Sequence, residues 1–110
     1  MNELEARLAA LAAAGQTTTY GALARDLGWR MGQLTAALEA LMEQDAAQGH
    51  PLRASLCKAR LGNGLPAQGF FDKASDLGFS TADPAGFAAQ HRTALFRAAD
   101  VAHRPQPGAD

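Results

Sequence analysis

The residue with the clearest chemical potential is the single cysteine, Cys57, which is followed by Lys58 and Arg60. Cationic neighbours lower the pKa of a thiol and favour the thiolate, which is the nucleophilic form. Catalysis would also need a general base, and no histidine stands beside Cys57 in the sequence. An unpaired cysteine is more commonly a small buried hydrophobic residue. We therefore predict that Cys57 is buried and that the protein is not an enzyme.

The other titratable side chains also lack the spacing of a catalytic or metal site. They include two carboxylate pairs and three histidines: Glu39 and Glu43, Asp72 and Asp76, and His50, His91 and His103. Each carboxylate pair is four residues apart on a predicted helix, as on many solvated helix faces. The histidines are scattered, and His91 falls on the apolar face of the last predicted helix, which favours a core or interface role. We expect no metal and no cofactor.

Three polar residues, Arg30, Gln33 and Thr35, stand near the start of a predicted helix that follows a tight turn. In a helix-turn-helix this position reaches base edges in the major groove. Arginine and glutamine can each form two hydrogen bonds, to guanine and adenine respectively. The pattern predicts a nucleic-acid contact, although three solvated polar side chains would explain it equally well.

A second set of cations follows that helix. Between residues 50 and 75, four cations outnumber a single carboxylate, which gives a local net charge of +3. The four are Arg53, Lys58, Arg60 and Lys73. Such a basic segment can contact the DNA backbone or minor groove, and it also occurs on ordinary solvated hairpins. The helix itself argues against DNA, because Glu39, Glu43 and Asp45 would repel phosphates.

The first elements that the sequence predicts, and that would position these residues, are helices. Apolar residues spaced by three or four positions predict three of them, over residues 2–14, 20–27 and 31–47. Gly28 ends the second helix and Pro51 follows the third. The threonines at 17–19 favour an extended segment, because β-branched side chains are restricted in helices.

Beyond Pro51 the apolar period changes to two, which predicts a strand over residues 52–57 with one solvated side. The Gly62-Asn63-Gly64 cluster predicts a hairpin turn, and a return segment follows over residues 65–71. A short helix over 71–77 comes next. Asp83-Pro84, a cap residue followed by proline, predicts the start of a last helix that reaches about residue 102.

Together these elements predict an α+β fold, mostly α: a winged helix, meaning a helix-turn-helix plus a β-hairpin, with an additional C-terminal helix. At 110 residues the chain fits one compact domain, which we place at residues 1–102, with a disordered tail over 103–110. No apolar run reaches the ~18 residues of a membrane span, and the first residues lack a secretory signal. We therefore expect a cytoplasmic protein without membrane contact.

The segment Thr18-Thr19-Tyr20-Gly21-Ala22-Leu23-Ala24 resembles the Thr-Tyr-Gly-x-Leu-Ala start of the winged-helix domain in alkylguanine-DNA alkyltransferases and alkyltransferase-like proteins. The resemblance covers about residues 17–70, and Pro51-Leu52 stands where the family has Asn-Pro-Leu. It implies a DNA-binding winged helix in which Tyr20 contacts a phosphate. The family's reactive Pro-Cys-His-Arg motif is absent, since the chain reads Leu56-Cys57-Lys58-Ala59-Arg60. The resemblance therefore does not extend to alkyl transfer.

Residues 64–71, Gly-Leu-Pro-Ala-Gln-Gly-Phe-Phe, are also similar to a Gly-Leu-Pro-x-x-Gly-Phe-Phe pattern of uncharacterised bacterial winged-helix proteins. Two functions follow. The first is DNA binding by the third helix and a basic wing. Its predicted contacts are Tyr20, Arg30, Gln33, Thr35, Arg53, Lys58 and Arg60. The alternative is a protein-interaction module that does not bind DNA, in which the third helix and residues 64–71 dock onto a protein partner or a second copy.

Overall fold

The fold is α+β and mostly helical. The computed structural model describes residues 2–103. Its elements are α1 (Glu3–Ala14), β1 (Thr18–Thr19), α2 (Tyr20–Leu27), α3 (Met31–Gln48), a 3₁₀ helix (Arg53–Leu56), β2 (Cys57–Lys58), α4 (Gln68–Asp76) and α5 (Pro84–His103). The tail predicted over 103–110 lies outside the described residues, except that His103 ends α5.

Capping residues set the limits of the helix-turn-helix. The Thr19 side-chain oxygen accepts a hydrogen bond from the Ala22 N–H at 3.2 Å, so it starts α2. Gly28 ends α2 with a φ of +70°, a left-handed conformation that glycine adopts without steric cost. The Trp29 N–H then donates to the Ala24 carbonyl at 2.9 Å and closes the turn into α3. These limits confirm the predicted ends of the second helix.

The core lies between α1, α2, α3 and the 3₁₀ helix. Leu34, Leu52 and Leu56 have no exposed surface, and Leu4 and Leu8 of α1 are nearly as buried. The last helix, α5, packs mainly against α1 and the 3₁₀ helix. It buries Phe87 and Ala88 in this core. The C-terminal helix therefore completes the core of its own chain.

The predicted hairpin is wrong. Residues 53–56 form the 3₁₀ helix, and only Cys57–Lys58 is a strand, which pairs with β1 in parallel, Thr18 opposite Cys57. The alternation of apolar and polar residues would place Ser55 and Cys57 on the solvated side, against the burial expected of an unpaired cysteine, and both are fully buried. A segment that is buried on both sides gives no reliable period of two.

The predicted return segment is also wrong, because it forms a turn and then a helix. Asn63 and Gly64 do adopt positive φ, at 53° and 85°, and the Leu65 carbonyl accepts from the Ala59 N–H at 2.8 Å. No strand follows in the described part of the chain, and α4 begins at Gln68. Phe70, Phe71 and Ala74 are buried along one face of α4, a helical spacing that outweighs the short apolar run.

Candidate interaction surface

Arg53, predicted as a cation of the wing, lies in an internal ion-pair network. Its guanidinium donates to both carboxylate oxygens of Asp45, at 3.0 and 3.1 Å from Nε, and Nη1 lies 3.0 Å from Glu5 Oε2. Asp45 is 1% exposed and also accepts from the Arg53 backbone N–H at 3.0 Å. Burial opposes the charge of Arg53, but the two carboxylates outweigh it and raise the arginine's pKa. A DNA contact through Arg53 would have to compete with these bonds.

The remaining cations of the predicted basic wing differ in their surroundings. Lys73 lies on α4, and its Nζ is 3.4 Å from Glu43 Oε2 on α3. Lys58 is half-buried at the end of β2, whereas Arg60 is exposed in the following turn. Two of the four predicted cations are therefore paired with carboxylates: Arg53 with Glu5 of α1 and Asp45 of α3, and Lys73 with Glu43 of α3.

Tyr20 points into the molecule. Its hydroxyl accepts a hydrogen bond from the Ala67 N–H at 3.0 Å, and burial raises the pKa of the phenol. This bond joins the start of α2 to the segment before α4. The phosphate contact that the family resemblance implies for Tyr20 stays a prediction, and the structure gives this side chain a structural role as well.

The three candidates at the start of α3 are all exposed. Arg30 is the N-cap, and the Gln33 side-chain oxygen accepts from the Arg30 N–H at 3.0 Å. This is one half of a capping box, and a glutamine three residues after the cap was its sequence signal. Thr35 lies one turn further along. The Gln33 side chain therefore caps the start of α3, and this role is independent of the base contact predicted for it.

Between α3 and α4 lies an apolar groove of about 170 Å³. Its lining residues are Tyr20, Met31, Thr35, Leu38, Glu39, Met42, Ala54, Ala67, Gly69 and Phe70. The buried Leu38, Met42 and Phe70 form its floor. Met31, 50% exposed, lies at its α3 edge. Sequence reasoning missed this groove, although residues 31, 35, 38 and 42 have the spacing of a single helix face.

The rim of the groove is acidic. Glu39 is half-buried there, and its carboxylate has no ion-pair partner among residues 2–103. Thr35 and Tyr20, which each carry a hydroxyl group, are the other polar residues of the lining. The groove thus offers an apolar pocket beside one unpaired negative charge.

The turn that precedes the groove presents an apolar side chain to solvent. Leu61 is 93% exposed. The turn is held in place by Arg92 of α5, whose Nη1 donates to the Gly64 carbonyl at 2.8 Å and whose Nε donates to the Ser55 carbonyl. Gly62 is tightly packed, since an added Cβ would lie 3.0 Å from the Ala59 Cβ and 3.1 Å from the Leu65 carbonyl oxygen. The exposure of Leu61 is therefore set by a fixed backbone.

Cys57 is fully buried in β2, which confirms that prediction. Burial raises the pKa of its thiol to about 12, and the nearby Arg92 opposes this only weakly. The thiol is protonated at neutral pH, so it has neither the access nor the charge of a nucleophile.

His91 has the core role that the sequence favoured. Its Nδ1 accepts from the Leu52 N–H at 2.9 Å, and its ring packs against Phe79 and Phe87, with centroid distances of 5.6 and 4.5 Å. Burial lowers the pKa of the imidazole. The neutral form is required, because a protonated Nδ1 cannot accept this hydrogen bond.

Within residues 2–103, no three histidine, cysteine or carboxylate side chains cluster closely enough to hold a metal ion. None of the helices described combines the length and apolar character that a bilayer span requires. No family model matches the chain. No curated protein and no solved structure matches it either. A function is therefore argued from the surface of the described residues: the groove with its acidic rim, the Leu61 turn and the exposed start of α3.

Proposed function

We propose that this protein is a protein-interaction module that binds an apolar side chain in the groove between α3 and α4. The observation that carries the proposal is the groove itself, with an apolar floor, a half-exposed Met31 and an unpaired Glu39 on the rim. Apolar pockets with few, well-placed polar groups are typical binding sites. Methionine suits such sites because its flexible, polarizable side chain adapts to different partners.

The size of the groove limits what it can hold. A volume of about 170 Å³ is close to that of a cavity of roughly 150 Å³ that accommodates benzene. One aliphatic or aromatic side chain fills it. A single anchor in a desolvated pocket commonly supplies much of the binding energy at a protein interface. The rim carboxylate of Glu39 favours an anchor that stands next to lysine or arginine.

The scaffold of this module, as we propose it, is a winged helix in which a turn and α4 replace the usual hairpin. The support is the order of α1, β1, α2 and α3 around the Gly28 turn, followed by β2. On such a scaffold α3 is the recognition helix. The charge of this α3 favours a protein partner, because the carboxylate of Glu39 has no ion-pair partner among the described residues and the helix carries no cation after Arg30.

Selection from a random peptide library displayed on phage tests the proposal. We expect the wild-type protein to enrich peptides that carry one large apolar residue beside lysine or arginine. The Glu39→Lys variant should instead enrich peptides with an acid in that position. Glu3→Lys changes an exposed carboxylate on α1 by the same charge and should leave the selection unaltered. Failure to enrich any common motif, or identical motifs from wild type and Glu39→Lys, would contradict the proposal.

DNA binding is a second candidate, and the observation that favours it is the exposed start of α3. Arg30, Gln33 and Thr35 lie there beyond the Gly28 turn, where a helix-turn-helix reads bases. Lys58 and Arg60 would then supply phosphate contacts. Fluorescence anisotropy with duplex DNA at low and moderate salt tests this candidate. Salt-sensitive binding that Arg30→Ala weakens would support it, and no binding at micromolar protein would exclude it.

A further inference from the structure

Two features of the surface match each other in shape and charge. Among residues 2–100, the large apolar side chains that are exposed are Met31, at the groove, and Leu61, on the turn. Leu61 stands next to Arg60, which is also exposed. An apolar anchor beside a cation is the ligand that the groove and Glu39 favour, so the chain carries on its own surface the chemistry that its groove would bind.

We propose that the groove binds Leu61 of a second copy of this chain, with Arg60 of that copy paired to Glu39. This inference rests on the proposed function, since it names the occupant of the same groove. Leu61 does not occupy the groove of its own chain, because it is 93% exposed. The volume of about 170 Å³ admits one leucine side chain.

The position of the two features favours a closed dimer. The turn that carries Leu61 leads directly into Ala67 and Gly69, which line one side of the groove, so only six to eight positions of the sequence separate the anchor from its receptor. A symmetric dimer needs an anchor and its receptor on one self-complementary patch. Two copies can then exchange Leu61 side chains reciprocally. The low net charge of −1 opposes such contact only weakly.

Hydrogen bonds hold the backbone of the turn that carries Leu61. The bonds from Arg92 to the Gly64 and Ser55 carbonyls and the bond from Ala59 to Leu65 fix the turn. A fixed anchor loses little conformational freedom when it binds, and this lowers the free-energy cost of association. Because the patch is small, we expect a weak dimer that exchanges with monomer.

Sedimentation velocity and equilibrium of the full chain, over a concentration series up to the millimolar range, test the inference. We expect Leu61→Asp to raise the dimer Kd on the order of 100-fold, since each dimer loses two buried leucines and gains two charges. Leu61→Met should dimerise like wild type. Arg97→Glu, an exposed charge change on α5, is the control. The exposure of Leu61 means that these variants should keep the wild-type thermal unfolding, which circular dichroism checks.

Charge reversal tests the pairing of the two copies. Arg60→Glu and Glu39→Arg should each weaken the dimer, and the double variant should restore it. A second pair of variants separates anchor from groove: Leu61→Asp keeps the groove, whereas Thr35→Trp covers it and keeps the anchor. Each should be monomeric alone, and their mixture should form a heterodimer through one contact.

The outcomes separate this inference from the proposed function. A monomeric wild type at millimolar concentration, or a dimer that Leu61→Asp does not weaken, overturns the inference. If the groove still enriches peptides on phage, the proposed function stands and only the second copy is excluded as its partner. If neither dimer nor peptide motif appears, both fail.

Discussion

The side chains at the two ends of α3 differ in burial and in pairing. Near its C-terminus, Asp45 is buried with a full set of donors from Arg53. In its N-terminal half, Met31 is half-exposed beside an apolar groove, and the rim carboxylate of Glu39 has no ion-pair partner among residues 2–103. We call the C-terminal end of α3, where the carboxylate is buried and paired, the closed end. The N-terminal half, with exposed apolar surface and an unpaired carboxylate, is the open end.

This difference separates stability from binding within one helix. A buried carboxylate is tolerated only when it is fully paired, because an unpaired buried charge is costly. An exposed apolar pocket has no such requirement and gains free energy only when something fills it. We therefore expect substitutions at the closed end to change the free energy of unfolding, and substitutions at the open end to change binding alone.

The largest expected effect comes from Asp45→Ala. It leaves the Arg53 guanidinium with Glu5 alone and removes the acceptor of the Arg53 backbone N–H. Breaking a buried ion pair from one side costs about 3 kcal/mol or more in the free energy of unfolding. Urea unfolding at pH 7, followed by circular dichroism, measures the loss. A change below ~1 kcal/mol would mean that the buried pairing of Asp45 contributes little to the free energy of unfolding.

Glu43→Ala is the matched control on the same helix. Its carboxylate is 58% exposed and pairs with Lys73 at 3.4 Å. Exposed pairs contribute roughly 0–1 kcal/mol because water screens them. The contrast between the two variants isolates burial, since both remove one negative charge from α3.

The second largest effect is expected from acid, which should lower the free energy of unfolding through His91 of α5. Burial lowers its pKa below the ordinary value of 6.5, and Asp45 opposes this shift. Well above pH 6.5 the imidazole is neutral in both states. As the pH falls below 6.5, the unfolded chain takes up a proton that the folded chain resists, so the free energy of unfolding decreases until the folded pKa is passed.

The measurement is urea unfolding at intervals between pH 7.5 and 5. His91→Gln keeps an acceptor for the Leu52 N–H without titrating and should flatten the decrease. His50→Gln, at an exposed histidine, should leave it unchanged. A decrease of equal size in His91→Gln and wild type would assign the effect to other groups.

Tyr20→Phe should have a smaller effect on the free energy of unfolding. Tyr20 starts α2 and also lines the groove. The substitution removes the hydroxyl that accepts from the Ala67 N–H at 3.0 Å, and a neutral hydrogen bond contributes about 1 kcal/mol. Amide hydrogen exchange should show faster exchange at Ala67, with little change at the buried Leu34 of α3. Unaltered exchange at Ala67 would contradict the anchoring role of Tyr20.

The sequence predicted the elements whose signals are local. Thr19 and Gly28 mark the limits of α2 because caps act within a few residues. The network of Arg53 was not predictable in the same way, since its partner Glu5 is 48 positions away. Period-based reasoning failed over residues 52–57 because Ser55 and Cys57 are buried despite their polar or small side chains. The groove was missed because only half of its lining comes from α3, and the other half comes from segments distant in sequence, at Tyr20, Ala54 and residues 67–70.

The smallest change in stability is expected at the open end, from Met31→Gln. The side chain is 50% exposed, and exposed substitutions usually change the free energy of unfolding by less than ~0.5 kcal/mol. Glutamine has a similar length but places an amide at the edge of the apolar pocket, and an anchor that binds there must leave this amide without a partner. We therefore expect unchanged urea unfolding together with weaker enrichment of apolar peptides on phage. Loss of stability with unaltered peptide selection would reverse the distinction and make Met31 part of the core, and the groove would then be an incompletely packed interior instead of a binding surface.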